Sequence, residues 1–151
     1  MSPTLNLSEL PGLVAEYARR SVSVGLNQGT SGNVSARSRP GFLITPSGRD
    51  MTELAAAEMV PVDMDGQAPE GLKPSSEWRF HRDIYAAFPD AKAIVHAHSP
   101  FAVALACLRR DIPPFHYMVA MAGGGNIRCA RYATFGTQAL SDAVLEALRD
   151  R

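Results

Sequence analysis

The sequence predicts an α/β domain: a mixed sheet with helices over both of its faces. Three observations carry this. Segments with apolar residues at helical spacing alternate with short strand-like runs, an early hairpin signal interrupts the alternation, and no repeat, low-complexity tract or linker divides the chain. With 151 residues, 46% of them hydrophobic and 20% charged, the chain suits a single domain over residues 1–151 whose core needs no disulfide staples.

Each element has a local reason. Ser8 is a candidate N-cap, and Leu10, Leu13, Val14, Tyr17 and Ala18 recur at helical spacing, so a first helix is expected to run to about residue 24, where Gly25 stops it. The small, polar stretch 29–33 cannot extend that helix. It feeds a strand at 34–37, a turn at 39–41 and a second strand at 42–45. Pro46-Ser-Gly48 opens a loop, followed by a short helical piece near 54–59, a strand at 60–62 and a surface connection over 63–73. Ser75 or Ser76 is expected to cap a helix whose apolar face is Phe80, Ile84, Tyr85 and Phe88, with Pro89-Asp90 ending it. Residues 93–98 read as a strand and 100–109 as a helix with proline in its first turn. The apolar stretch 112–125 is interrupted by two prolines and three glycines; 127–132 reads as a strand, and Leu140, Val144, Leu145 and Leu148 mark a final helix.

Charge and cysteine content exclude several function classes. Fifteen basic residues balance fifteen acidic ones, and the basic residues fall in scattered pairs such as Arg19-Arg20 and Arg109-Arg110. That is not a phosphate-tracking stripe, so no nucleic-acid partner is expected. The apolar runs are too short to span a membrane, and residues 1–8 lack the pattern of a secretory signal. A cytoplasmic location with Cys107 and Cys129 reduced is expected, Cys107 as a small buried core residue in the apolar run 102–108.

Three features could carry chemistry. His96 and His98 stand two apart on an expected strand and so share a face, where two imidazoles could ligate a metal or simply form a hydrogen-bonded surface pair. Thr30-Ser-Gly-Asn33, Thr45-Pro-Ser-Gly48 and Ser75-Ser76 offer N–H groups and hydroxyls without bulk, which suits an oxyanion, though each alone also reads as a turn or cap. With no Walker lysine pattern and no G-x-G-x-x-G, they suggest a small phosphate ester more than a nucleotide. Glu77 follows Ser76 directly. It either stabilises the helix start, or moves a proton or ligates a metal beside the substrate. His81 reads as a partly exposed helical residue, His116 as a hydrogen-bonded structural one, Tyr117 as a candidate proton donor, and Arg49 and Asp50 as ordinary loop charges.

Together the motifs resemble the class II aldolase/adducin family, most closely its L-fuculose-phosphate aldolase branch. The resemblance lies in Gly25-Leu-Asn-Gln-Gly-Thr-Ser-Gly-Asn-Val-Ser35, Ile44-Thr-Pro-Ser-Gly48, Pro74-Ser-Ser-Glu-Trp-Arg-Phe-His81, Val95-His-Ala-His98, His116-Tyr-Met118 and Tyr132-Ala-Thr-Phe-Gly-Thr137, in family order over nearly the whole chain. It implies a three-layer α/β/α fold around a central mixed, largely antiparallel sheet. It also implies a zinc-dependent aldolase that cleaves a ketose 1-phosphate to dihydroxyacetone phosphate and a small aldehyde. His96, His98 and Glu77 would hold one Zn2+ (or another divalent metal) per subunit, with Glu77 also the acid/base group. Gly32, Asn33, Thr45, Ser47, Gly48, Ser75 and Ser76 would bind phosphate, and Phe135 would line the aldehyde end. Tyr117 would be supplied across a subunit boundary, in a homotetramer.

The family pattern also wants a third zinc histidine on a strand after the final helix. The chain stops at Arg151, before such a strand, so a C-terminally shortened chain is expected. Within the same fold, a pentulose-phosphate 4-epimerase or a thiosugar-phosphate dehydratase stays open, although Phe115-His-Tyr-Met118 favours aldolase over 4-epimerase. A non-catalytic, adducin-like interaction module would be expected to lose the zinc histidines, and both are present.

Overall fold

A computed structural model of the protein describes residues 7–151. Helix α1 (Leu10–Ser23) buries the stripe Leu10, Val14, Ala15 and Ala18, the face its spacing predicts. Ser8 does not open the α-helix directly: a 3-10 turn, Leu7–Glu9, precedes it, and Glu9 takes the cap position without a side-chain cap bond. Gly25 ends the segment at a φ of +77°, a left-handed conformation that favours glycine.

Strands β1 (Asn33–Ser38), β2 (Gly41–Ile44), β3 (Val60–Val62) and β4 (Ala93–His96) form one sheet in the order β3-β2-β1-β4. Its three pairings are all antiparallel, so among the described residues the expected mixed sheet contains no parallel pair. The β1–β2 turn lets Gly41 pass directly under the next strand, where a Cβ would stand 2.0 Å from the Val62 carbonyl oxygen.

Period-two alternation assigns the two faces of the sheet. Val34 and Ala36 point toward α1 and join its core with Met51, Leu54 and Met59. On the other face Phe42, Ile44, Val60 and Val62 pack against Tyr85 of helix α2 (Trp78–Ala87), while Asn33 and Ser35 reach side chains at the start and middle of the same helix. Helix α4 (Gln138–Leu148), capped by the Thr137 hydroxyl, lies against α2, where the Ser141 hydroxyl and the Gln138 amide both donate to Asp83. The layers are therefore α1, sheet, then α2 with α4, the α/β/α arrangement expected.

Several local expectations need correction. The piece near 54–59 is a pair of 3-10 turns, Met51–Glu53 and Ala56–Glu58. Residues 127–132 form no strand; one isolated bridge joins Ile112 and Ile127, and a lone bridge cannot hold an apolar segment in a ladder. Strand β4 stops at His96, so His98 lies just beyond it. Helix α3 (Pro100–Cys107) buries none of its residues, and Cys107 is exposed instead of in the core. Its apolar composition promised burial, but no element of the described chain packs over it. Both cysteines are free thiols. No helix among the described residues is long and apolar enough to cross a membrane.

Candidate functional site

Chain register brings the predicted residues together. Asn33 and His96 are direct partners across the β1–β4 pair, so both project onto the α2 face, and Glu77 sits at the residue preceding α2. The Asn33 Nδ2 donates to Glu77 Oε2 at 2.8 Å, and the same carboxylate oxygen is 3.2 Å from His96 Nε2. His98 turns back so that its Nε2 lies 2.9 Å from that of His96. Donor atoms of Glu77, His96 and His98 all lie within 4.8 Å of one another.

The donor set fits a divalent cation. Two imidazole nitrogens and a carboxylate oxygen suit zinc, and ligand atoms on a tetrahedral zinc stand roughly 3.3 Å apart, close to the spacings here. Burial pushes the His96 imidazole below its usual range, an effect Glu77 opposes and His98 reinforces. At neutral pH His96 is thus the free base that a metal requires.

The three small-polar loops meet beside this cluster. Ser75 N–H donates to the Thr45 carbonyl at 2.9 Å, Ser47 N–H donates to the Lys73 carbonyl at 2.9 Å, and Pro46 bridges Pro74. Thr45 is buried with its hydroxyl accepting from Val34 N–H, and Asn33 is buried with its amide on Glu77, whereas Ser47, Gly48 and Ser76 face solvent. Ser75 does not cap α2 as expected: its Oγ accepts from Glu77 N–H at 3.4 Å, and the helix begins at Trp78.

A cleft of about 590 Å³ opens from the cluster, lined by Glu77, His96 and His98 at one end and by Phe80, Phe135 and Leu140 among its apolar residues. Phe135 lines this cleft. Tyr117, expected to serve a site across a subunit boundary, lines a separate hollow with Phe115 and His116 and is 78% exposed. His116 accepts from Met118 N–H, as a hydrogen-bonded structural residue would. Asp50 caps a 3-10 turn and Arg49 pairs with Glu58, both ordinary loop roles.

Two groups were missed from the sequence. Asn27, buried in the turn after α1, donates to the His96 carbonyl and accepts from His98 N–H at 2.8 Å, so it holds the main chain carrying both histidines. Gly32 must be glycine beside it, since a Cβ there would meet the Asn27 amide at 2.4 Å. His81, expected to be partly exposed, is completely buried, between Asn33 and Ser35. Its four-residue spacing from Glu77 on one side and Tyr85 on the other was the available signal. Replacing Asn27 by alanine is expected to weaken Co2+ binding about tenfold, read by visible absorbance, because the histidine backbone loses its tie. Unchanged affinity would show that the strand end holds its geometry without it.

Residues 12–151 match the class II aldolase and adducin N-terminal domain. The chain belongs to that family. It is 53% identical over 140 residues to a 5-methylthioribulose-1-phosphate/5-deoxyribulose-1-phosphate aldolase of Rhodospirillum rubrum, covering 93% of this chain and 63% of that protein. It is 52% identical over 128 residues to the L-fuculose phosphate aldolase of Escherichia coli, covering 85% and 60%. Among solved structures, an L-fuculose 1-phosphate aldolase superposes with a TM-score of 0.88 at 38% identity, covering 97% of this chain and 70% of that one. This class II aldolase-family chain thus spans about 60% of the length of the curated relatives it matches.

Proposed function

We propose that this family member is a metal-dependent aldehyde-lyase that cleaves a ketose 1-phosphate to dihydroxyacetone phosphate and a small aldehyde. The convergence of Glu77, His96 and His98 at the mouth of a largely apolar cleft is the observation that carries it. A divalent cation held there, zinc by donor type, supplies Lewis acidity to the substrate's carbonyl oxygen. The exposed hydroxyl and N–H groups of Ser47, Gly48 and Ser76, with Ser75, Thr45, Gly32 and Asn33 behind them, hold the phosphate. Glu77 carries the proton to and from the dihydroxyacetone phosphate carbon at which the C3–C4 bond breaks.

Phe80, packed edge-on to His96, and Phe135, Leu140 and Val144 give the cleft an apolar wall. That wall favours a sugar phosphate ending in a methyl or methylthio group, as L-fuculose 1-phosphate and the 5-deoxy and 5-methylthio pentulose 1-phosphates do. Tyr117, with Phe115 and Met118 exposed beside it, is available to a neighbouring copy, where its hydroxyl would exchange a proton with the aldehyde oxygen in a homotetramer. The chemistry and the substrate class point to a cytoplasmic enzyme.

Release of dihydroxyacetone phosphate from L-fuculose 1-phosphate and ribulose 1-phosphate, assayed with Zn2+ or Co2+ supplied, tests this reading. Cleavage that stops on chelation is the expected result. Inversion of ribulose 5-phosphate at C4 without cleavage would replace the aldolase with an epimerase.

A further inference from the structure

Glu77, His81 and Tyr85 follow one another at four-residue steps, while Asn33, Ser35 and Arg37 follow at two-residue steps along β1. Four residues of helix and two of strand each advance about 6–7 Å, so the two rows stay in step across the interlayer contact. Asn33 meets Glu77 and His81, Ser35 meets His81 and Tyr85, and Arg37 donates to the Tyr85 carbonyl and stacks over the Tyr85 ring. Asn33, Ser35, His81 and Tyr85 are all at least 98% buried.

The hydrogens of this row can be assigned from its end. A carboxylate only accepts, so Asn33 Nδ2, 2.8 Å from Glu77 Oε2, is the donor. The Asn33 amide oxygen is then turned toward His81 Nε2, which must carry the hydrogen. Nδ1 of His81 is left to accept from Ser35 Oγ at 2.7 Å, and Ser35 in turn accepts from the Tyr85 hydroxyl at 2.8 Å. Every donor points the same way, from Tyr85 through Ser35, His81 and Asn33 to Glu77. Aligned chains of this kind reinforce one another in a low-dielectric interior. Burial also holds His81 in its uncharged form, lowering its pKa to about 3, with His96 adding to the effect.

We propose that His81, backed by Ser35 and Tyr85, is a positioning residue for Glu77: its Nε2–H engages the Asn33 carbonyl, leaving Asn33 only its N–H to offer the carboxylate, which is thereby kept beside His96 and His98. This rests on the reading of Glu77 as the metal-side, proton-carrying group. Without the His81 donor the buried Asn33 carbonyl is left without its partner. The amide then loses the fixed position from which it holds the carboxylate, and Glu77 is released from its place beside His96 and His98.

The first test uses the whole chain without metal or substrate, so it does not depend on turnover. A long-range proton–nitrogen correlation at pH 7 is expected to show His81 with Nε2 protonated and Nδ1 bare. The two Asn33 side-chain amide protons should be widely separated in shift, since one is bonded to a carboxylate. They should converge in His81→Phe and stay apart in His81→Gln, whose side-chain N–H2 can still donate to Asn33. Ser35→Ala, a smaller change, should leave Nε2 protonated, because the Asn33 carbonyl still takes its hydrogen, and should remove only the hydrogen bond at Nδ1.

The second test is a Co2+ titration. His81→Phe should bind about tenfold more weakly than the native chain and His81→Gln near the native level. Protonated Nδ1, an imidazolium, or an Asn33 amide unchanged in His81→Phe would overturn the proposal, and the wild-type tautomer decides even if that variant does not fold. Failure of the metal reading has a different signature: no Co2+ uptake by any chain, native included, with the tautomer and the Asn33 shifts as expected.

Discussion

Lowering the pH from 6.5 to 3 is expected to remove on the order of 5 kcal/mol of folding stability through His81 alone. The sign follows from which state takes the proton first. In the unfolded chain His81 titrates near its ordinary value of 6.5, whereas in the folded chain burial lowers it to about 3. Its contribution is complete above the unfolded value. Between the two values the unfolded state holds one more proton than the folded state, so each pH unit costs about 1.4 kcal/mol. Below pH 3 nothing further is lost from this group. The stability of a domain this size is about 5–15 kcal/mol, so by pH 3 this one group removes between roughly a third and all of it. His96, also lowered mainly by burial, adds in the same direction. Urea melts at a series of pH values should show the slope, and His81→Gln should remove one proton from it. An identical slope in that variant would mean His81 is not excluded from protonation in the folded state.

Glu77→Gln is expected to reduce turnover by about 100- to 10,000-fold, the usual contribution of a positioned acid/base group. The change is nearly isosteric. The amide oxygen of glutamine still accepts from Asn33 Nδ2, so the row behind it and the fold survive. What disappears is the basic oxygen beside His96 Nε2. Two readouts separate this from a loss of phosphate binding: exchange of solvent deuterium into dihydroxyacetone phosphate should fall with turnover, while the affinity for inorganic phosphate should hold. Native exchange rates in Glu77→Gln would move the proton-carrying role to another residue.

Much of this site was legible because short-range rules place its parts. The interval of two between His96 and His98, the hydroxyl-rich loops and the neighbourhood of Ser75, Ser76 and Glu77 are all features of consecutive residues, and the structure brings all of them to one end of the sheet. The strands at residues 34–37, 42–45 and 60–62 followed from alternation and turn residues and shifted by at most one residue at either end. What failed was burial. Cys107 and His81 were assigned opposite environments from their immediate neighbours, and both assignments were reversed. Periodicity reports which face of an element a residue occupies; it does not report what lies against that face.

Composition and local pattern were therefore enough for the α/β class and for marking the two imidazoles and the carboxylate as candidates, because these depend on period and on residue chemistry. That the three form one ligand set was implied by the family resemblance. The tertiary structure alone decided which side chains of β1 and α2 confront one another, since that depends on strand register and on the matched rise of helix and strand. It alone revealed Asn27 as the clamp on the histidine backbone, 69 and 71 residues away in sequence. It also set the direction of the hydrogen-bonded row from Tyr85 to Glu77, which no single element could contain.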